Sequence, residues 1–198
     1  MKRWSEHTIA RAISLQTLAR KCVVLVDNCN WTGYECDVLG VTTDLRIIDV
    51  EVKISRADLK ADAKKDKWWH RNGAMYDWRT RSYPPEAGTA REHPRKVWKH
   101  YYALPKEIWR GDLFDCLPSK ASGVLVLSED KWGTLSVECV RRSTPAKDAY
   151  RLKPEEVMDI ARLANLRMWE AYYKADIAKR DAAHYRDQVR AFTGGLAA

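Results

Sequence analysis

Between Ile48 and Ile54 every second residue is ionisable: Asp49, Glu51 and Lys53 alternate with Ile48, Val50, Val52 and Ile54. Alternate side chains of an extended strand share a face. This spacing therefore predicts two carboxylates and an ammonium on one side of a strand whose other side is wholly apolar, so that one face seals a core and the other lines a polar cleft. Asp37, on a preceding segment with Glu35 and Leu39 on its face, is close enough in sequence to approach Glu51 across a short connection. The chemistry such a set suits is phosphodiester hydrolysis. Neighbouring carboxylates hold a hard divalent cation such as Mg²⁺ or Mn²⁺, which takes oxygen ligands, polarises a phosphate and acidifies a bound water. A nearby lysine ammonium stabilises the charge that develops on the phosphorane or orients the attacking water. Alone, Glu-x-Lys also fits a surface strand whose charges pair across strands. The order of the surrounding elements gives the pattern its weight.

Ser5 and the apolar series Ile9, Ile13, Leu15 and Leu18 predict a capped amphipathic helix over residues 5–20, with Glu6 in its first turn. Residues 23–26 are a short apolar strand, and 34–41 and 45–54 are two more, joined by a hairpin connection at Thr42, Thr43 and Asp44. Ser55 and Asp58 have the spacing of a capping box, placing a second helix over residues 56–69. Residues 70–97 lose periodicity and collect Gly, Pro, Arg and Trp, the mark of a long loop or insertion. Strands follow at 98–104, 123–127 and 135–140, and Pro154 opens a helix that runs nearly to the C-terminus.

This order resembles the PD-(D/E)XK nuclease superfamily, and Cys36-Asp37-Val38-Leu39 together with Ile48 to Leu59, above all Ser55-Arg56-Ala57-Asp58, is similar to its MmcB-like group of DNA-repair and phage proteins. The resemblance covers residues 5–69 and, more loosely, 98–140. It implies an α/β fold with a restriction-endonuclease-like core (α-β-β-β-α-β), extra C-terminal strands and a long C-terminal helix. It also implies a Mg²⁺- or Mn²⁺-dependent DNA endonuclease of repair, recombination or phage DNA processing, with Asp37 and Glu51 as metal ligands, the Val52 carbonyl completing the shell and Lys53 catalytic. In many members a glutamate of the first helix adds a carboxylate; Glu6 fits that role, and equally that of a helix N-terminal charge. Asp49 departs from the usual apolar residue at its position, as a second ligand or as a charge on the cleft wall. Asp62, Lys64 and Trp68 align with second-helix residues of the family.

Arg56, Lys60, Lys64 and Lys67 recur at helical spacing as a basic stripe, and the insertion continues the sign with Arg79 and Arg81 among tryptophans and tyrosines, a mix that suits phosphate contact and base stacking. With 35 Lys+Arg against 27 Asp+Glu, the net charge of +8 favours polyanionic partners. The expected partner is DNA, whether duplex, branched or single-stranded. Other readings are a catalytically weak DNA-binding module of the same fold, and an RNA-processing nuclease.

The domain division expected is a nuclease-like unit over 1–150 with a basic insertion at about 70–97, then a helix and tail over 151–198. Five cysteines without a C-x-x-C pair predict free, structural thiols; no 18-residue apolar run or signal-like segment occurs, so a soluble cytoplasmic protein without a membrane partner is expected. No Walker motif implies ATP. In the last helix Val157, Ala161, Ala164, Met168, Ala171, Ala175, Ala178, Ala182, Tyr185, Val189 and Phe192 recur at alternating steps of four and three. Two readings follow: a first half packed on the core with an exposed tail, or a homodimer through this seam.

Overall fold

In the computed structural model, which describes residues 4–71, 77–80 and 88–194, a mixed six-stranded sheet is sandwiched between helical layers. The Ser5 hydroxyl accepts from the Thr8 amide at 3.2 Å and caps α1 (Glu6–Ile13), which widens into a π-helical turn at Ser14–Leu18. Strands β1 (Cys22–Cys29), β2 (Cys36–Thr42) and β3 (Ile47–Val52) form an antiparallel meander. The β2–β3 turn carries Leu45 at φ 59, and the Leu45 amide donates to the Thr42 carbonyl at 2.9 Å.

Helix α2 (Arg56–Ala61) starts where the Ser55 hydroxyl accepts from the Asp58 amide at 3.1 Å. It stops short of the predicted Trp69. The backbone tightens into 3-10 turns at Asp62–Lys64 and Asp66–Trp68, with Lys65 extended between them. A regular helix would leave Lys67 on the solvent face with Lys60 and Lys64; the break turns Lys67 and Trp68 inward, where both are buried. The insertion is drawn together at its base by β4 (Trp69–His70) and β5 (Thr89–Ala90), a two-stranded ribbon.

Then come β6 (Val97–Pro105), β7 (Gly123–Glu129), β8 (Leu135–Arg141) and α3 (Pro154–Gly194). The sheet order is β1-β2-β3-β6-β7-β8, with β3, β6 and β7 parallel and β8 antiparallel to β7. On one face, Ile9, Ala12, Ile13 and Leu18 pack against Val38, Ile48, Val50 and Val52. The other face is covered in two places: Ile160 of α3 with Leu152 over Leu39, Val41 and Ile47, and Leu59 with Trp68 over Tyr102, Leu104, Val124 and Val126.

Three expectations need correction. Val23 is 57% exposed rather than core, because β1 is an edge strand with one side open. Ile54 lies past the end of β3 and is exposed. The β1–β2 hairpin pairs Cys29 with Cys36, and both are buried free thiols. In α3 the packed part is shorter than half, with Ile160 buried and nearly all side chains beyond Ala164 exposed. No described helix is long and apolar enough to cross a membrane.

Candidate functional site

The β2–β3 ladder ends at the pair Val38 and Val50. Beyond it the strands part, and the Asp37 carboxylate takes the Val52 amide at 2.6 Å, a donor that a continuing ladder would have paired with a backbone carbonyl. Asp37 is thereby held beside the backbone that carries Glu51. Burial and the Glu51 charge push its carboxyl up to about 6, even though the Val52 amide and Lys53 favour ionisation. Asp37 also opens on a cavity of about 160 Å³ lined with Glu6, Asp27 and Asn28, so the first-helix glutamate and Asp37 face the same space.

Glu51 and Lys53 are each only 2% exposed, so they do not stand on an open cleft wall. The turned-in segment after α2 closes over them. Lys67 forms an ion pair with Glu51 Oε1, while Lys53 and Lys65 reach Oε2 at 3.1 and 3.4 Å. Asp62 completes the cluster: its Oδ1 lies 3.0 Å from Lys53 and 2.9 Å from Lys65, and its Oδ2 accepts from Tyr102 at 2.5 Å and Trp68 at 3.0 Å. Burial alone would neutralise Glu51, but Lys67 and Lys53 outweigh it and hold the carboxyl below its ordinary value. Asp62 is held low by the same two lysines against its own burial. Three ammoniums thus stand on two fully buried carboxylates, with Asp58 at the margin, 3.7 Å from Lys53. Lys65, about half exposed, connects the cluster to solvent.

Asp49 lies behind this cluster, opposite His100 of β6 in register, with its Oδ2 3.8 Å from His100 Nε2. Burial pushes its carboxyl up to about 7, with Lys67 opposing, and burial holds His100 neutral. His100 Nδ1 is 3.0 Å from the Ser122 hydroxyl. Asp49 is neither on a cleft wall nor beside the Asp37 cavity; it is an interior group.

The chemistry of the donor set fits a hard divalent cation: Asp37 and Glu51 would supply carboxylate oxygens and Val52 its carbonyl, and Asp37 is raised first by burial and then by the Glu51 charge, the second of which a cation would offset. Among the described residues no cluster of three or more His, Cys, Asp or Glu side chains is arranged as a metal cage, so the fit rests on this pair.

Of the basic stripe, Lys60 and Lys64 are exposed as expected, and Arg56 is exposed while its Nε donates to the Ile108 carbonyl at 2.7 Å. Lys67 is the correction: it is 2% exposed and committed to Glu51, so it belongs to the cluster and not to a nucleic-acid surface. Arg79 is exposed; Arg81 lies outside the described residues. Of the second-helix alignment, Asp62 and Trp68 join the cluster and Lys64 does not. Sequence reading missed Lys65 and Tyr102. The signal for the first was Asp62 three residues before Lys65 in a segment that carries lysines at 60, 64, 65 and 67.

No family model and no curated protein sequence matches the chain. Among solved structures it is similar to a protein of unknown function from Silicibacter pomeroyi, at 20% identity and a TM-score of 0.50 over 86% of this chain and 90% of that one, a likeness of fold.

Proposed function

We propose that the chain is a Mg²⁺- or Mn²⁺-dependent DNA endonuclease with a restriction-endonuclease-like core, in which residues 1–150 carry the site and the C-terminal helix is an appendage. The observation that carries this reading is the meeting, where β2 and β3 part, of Asp37 with a strand whose next residues are Glu51, Val52 and Lys53. The order of α1, three antiparallel strands, α2 and a parallel strand supports the core assignment.

A divalent cation bound by Asp37, Glu51 and the Val52 carbonyl would supply Lewis acidity toward a phosphate oxygen and an acidified water. The chain's own residues do the rest. Asp62 and Glu51 hold the Lys53 ammonium in place, 3.0 and 3.1 Å away, so that it meets a developing phosphorane charge without rearrangement. Lys65, which reaches solvent, meets a phosphate first, and Lys60 and Lys64 extend its field along the surface. Glu6 adds a third carboxylate to the Asp37 cavity.

A second reading, a DNA-binding module with little catalysis, is favoured by the saturation of Glu51 with ammoniums. One experiment separates the two: cleavage of supercoiled, linear, single-stranded and branched DNA with Mn²⁺, by wild type, Glu51→Gln and Lys53→Met. The nuclease reading predicts cutting that falls at least about 100-fold in each variant while DNA affinity stays within a few-fold. Cutting at the wild-type rate in both variants defeats it, and affinity without cutting in any protein favours the module.

A further inference from the structure

We infer that the distal part of α3 pairs with the same helix of a second copy of this chain, antiparallel, with the two-fold axis near residues 176 and 177. The seam positions that lie over the body, Val157 and Ala164, already pack on the sheet. The same stripe then runs on through Met168, Ala171, Ala175, Ala178, Ala182 and Tyr185 to Phe192, and all of these side chains are exposed. That stretch is about 37 Å of helix.

A parallel pair is disfavoured twice over. It would set the two bodies side by side at the end where the seam is occupied by their own sheets. It would also bring Lys174 against Lys179 of the second copy, two like charges flanking the seam, at both symmetry-related places.

An antiparallel pair centred at 176 and 177 avoids both. It stacks Ala175 on Ala178 and Ala171 on Ala182 of the second copy, small on small, so the backbones approach closely. Lys174 then flanks Asp181 of the second copy, twice by symmetry. Sliding by one heptad either way would bring Asp181 against its own copy, or Lys174 against its own. Self-complementary charge in one register is what commits the occupant to a second copy. Size agrees as well. Tyr185 of the second copy falls opposite Met168, at a groove of about 310 Å³ between α1 and α3 lined by Ala10, Leu25, Val26, Ala164, Met168 and Ala171. The bulky end of one helix thus meets the small-residue end and apolar groove of the other.

Sedimentation equilibrium of the full chain over a hundredfold concentration range tests this. The expected result is a monomer–dimer equilibrium ending at twice 22.9 kDa. Ala178→Glu, on an exposed helix face, should give monomer with unchanged helicity. Lys174→Glu should weaken the dimer at least about fivefold by placing two acids together, and adding Asp181→Lys should restore it. Circular dichroism separates this from helix loss, since Lys174 also pairs with Glu170 of its own helix at 2.7 Å. A wild-type mass that stays monomeric throughout, a trimer or larger species, or a dimer tightened by Lys174→Glu would overturn the proposal.

Discussion

At Asp37 the fold holds a carboxylate that it would sooner keep protonated. The raised value favours the protonated group in the folded chain, so its contribution to stability is fully present below the unfolded value of 3.8 and is lost as pH rises through about 6. Asp37→Asn keeps an oxygen for the Val52 amide and carries no charge. Thermal or urea unfolding should therefore show the variant about 1–2 kcal/mol more stable than wild type at pH 8, after allowance for partial exposure, with little difference at pH 3.5. A variant less stable at pH 8 would show that the charge is compensated there. The alternation around Asp49, Glu51 and Lys53 was legible because period two is a local property of a strand. What was not legible was which of the three would be buried against what. Asp49 meets His100 and Glu51 meets Lys67 only because β6 and the segment after α2 close over β3, and both contacts are non-local.

At the scale of elements, the six strands of the main sheet were readable within two or three residues, since each is bounded by turn chemistry or a run of β-branched residues, while β4 and β5, two residues each, left no period to read. Helix α2 was not, because its cap at Ser55 fixes a start but the stop is imposed by Asp62, whose partners Trp68 and Tyr102 are drawn from beyond the helix. A tertiary hydrogen-bond set overrode an intact helical pattern. The parallel β6–β7 pair depends in turn on a close approach at Gly123. A Cβ there would meet the Tyr101 ring and lie 2.7 Å from the Ser143 amide nitrogen, a backbone atom that cannot step aside. At Gly40 the clash would be with Cys22 Sγ at 2.6 Å, a side chain that can rotate. Gly123→Ala should therefore cost about 2–3 kcal/mol in chemical denaturation and more than Gly40→Ala. Equal costs would mean that Tyr101 repacks freely.

The molecule as a whole combines a net charge of +8 with a small interior region where ammoniums and carboxylates are packed at high density. Removing one member of such a cluster leaves an uncompensated buried charge, so a design of this kind is costly to keep for stability alone. Through Glu51 the cluster adjoins the Val52 amide that Asp37 accepts where β2 and β3 part. If the cluster serves phosphodiester cleavage, Glu51 must exchange at least one ammonium for a divalent ion, and Lys67 is the group to be displaced, since Lys53 and Lys65 are also anchored by Asp62 at 3.0 and 2.9 Å while Lys67 lies 4.0 Å from it. The anomalous difference map of a crystal grown with Mn²⁺ reads this exchange directly. The account predicts a peak about 2.0–2.4 Å from carboxylate oxygens of both Asp37 and Glu51, with the Lys67 ammonium moved away from Glu51. A cleavage-competent crystal with no peak at Asp37, and with all three lysines still on Glu51, would contradict it.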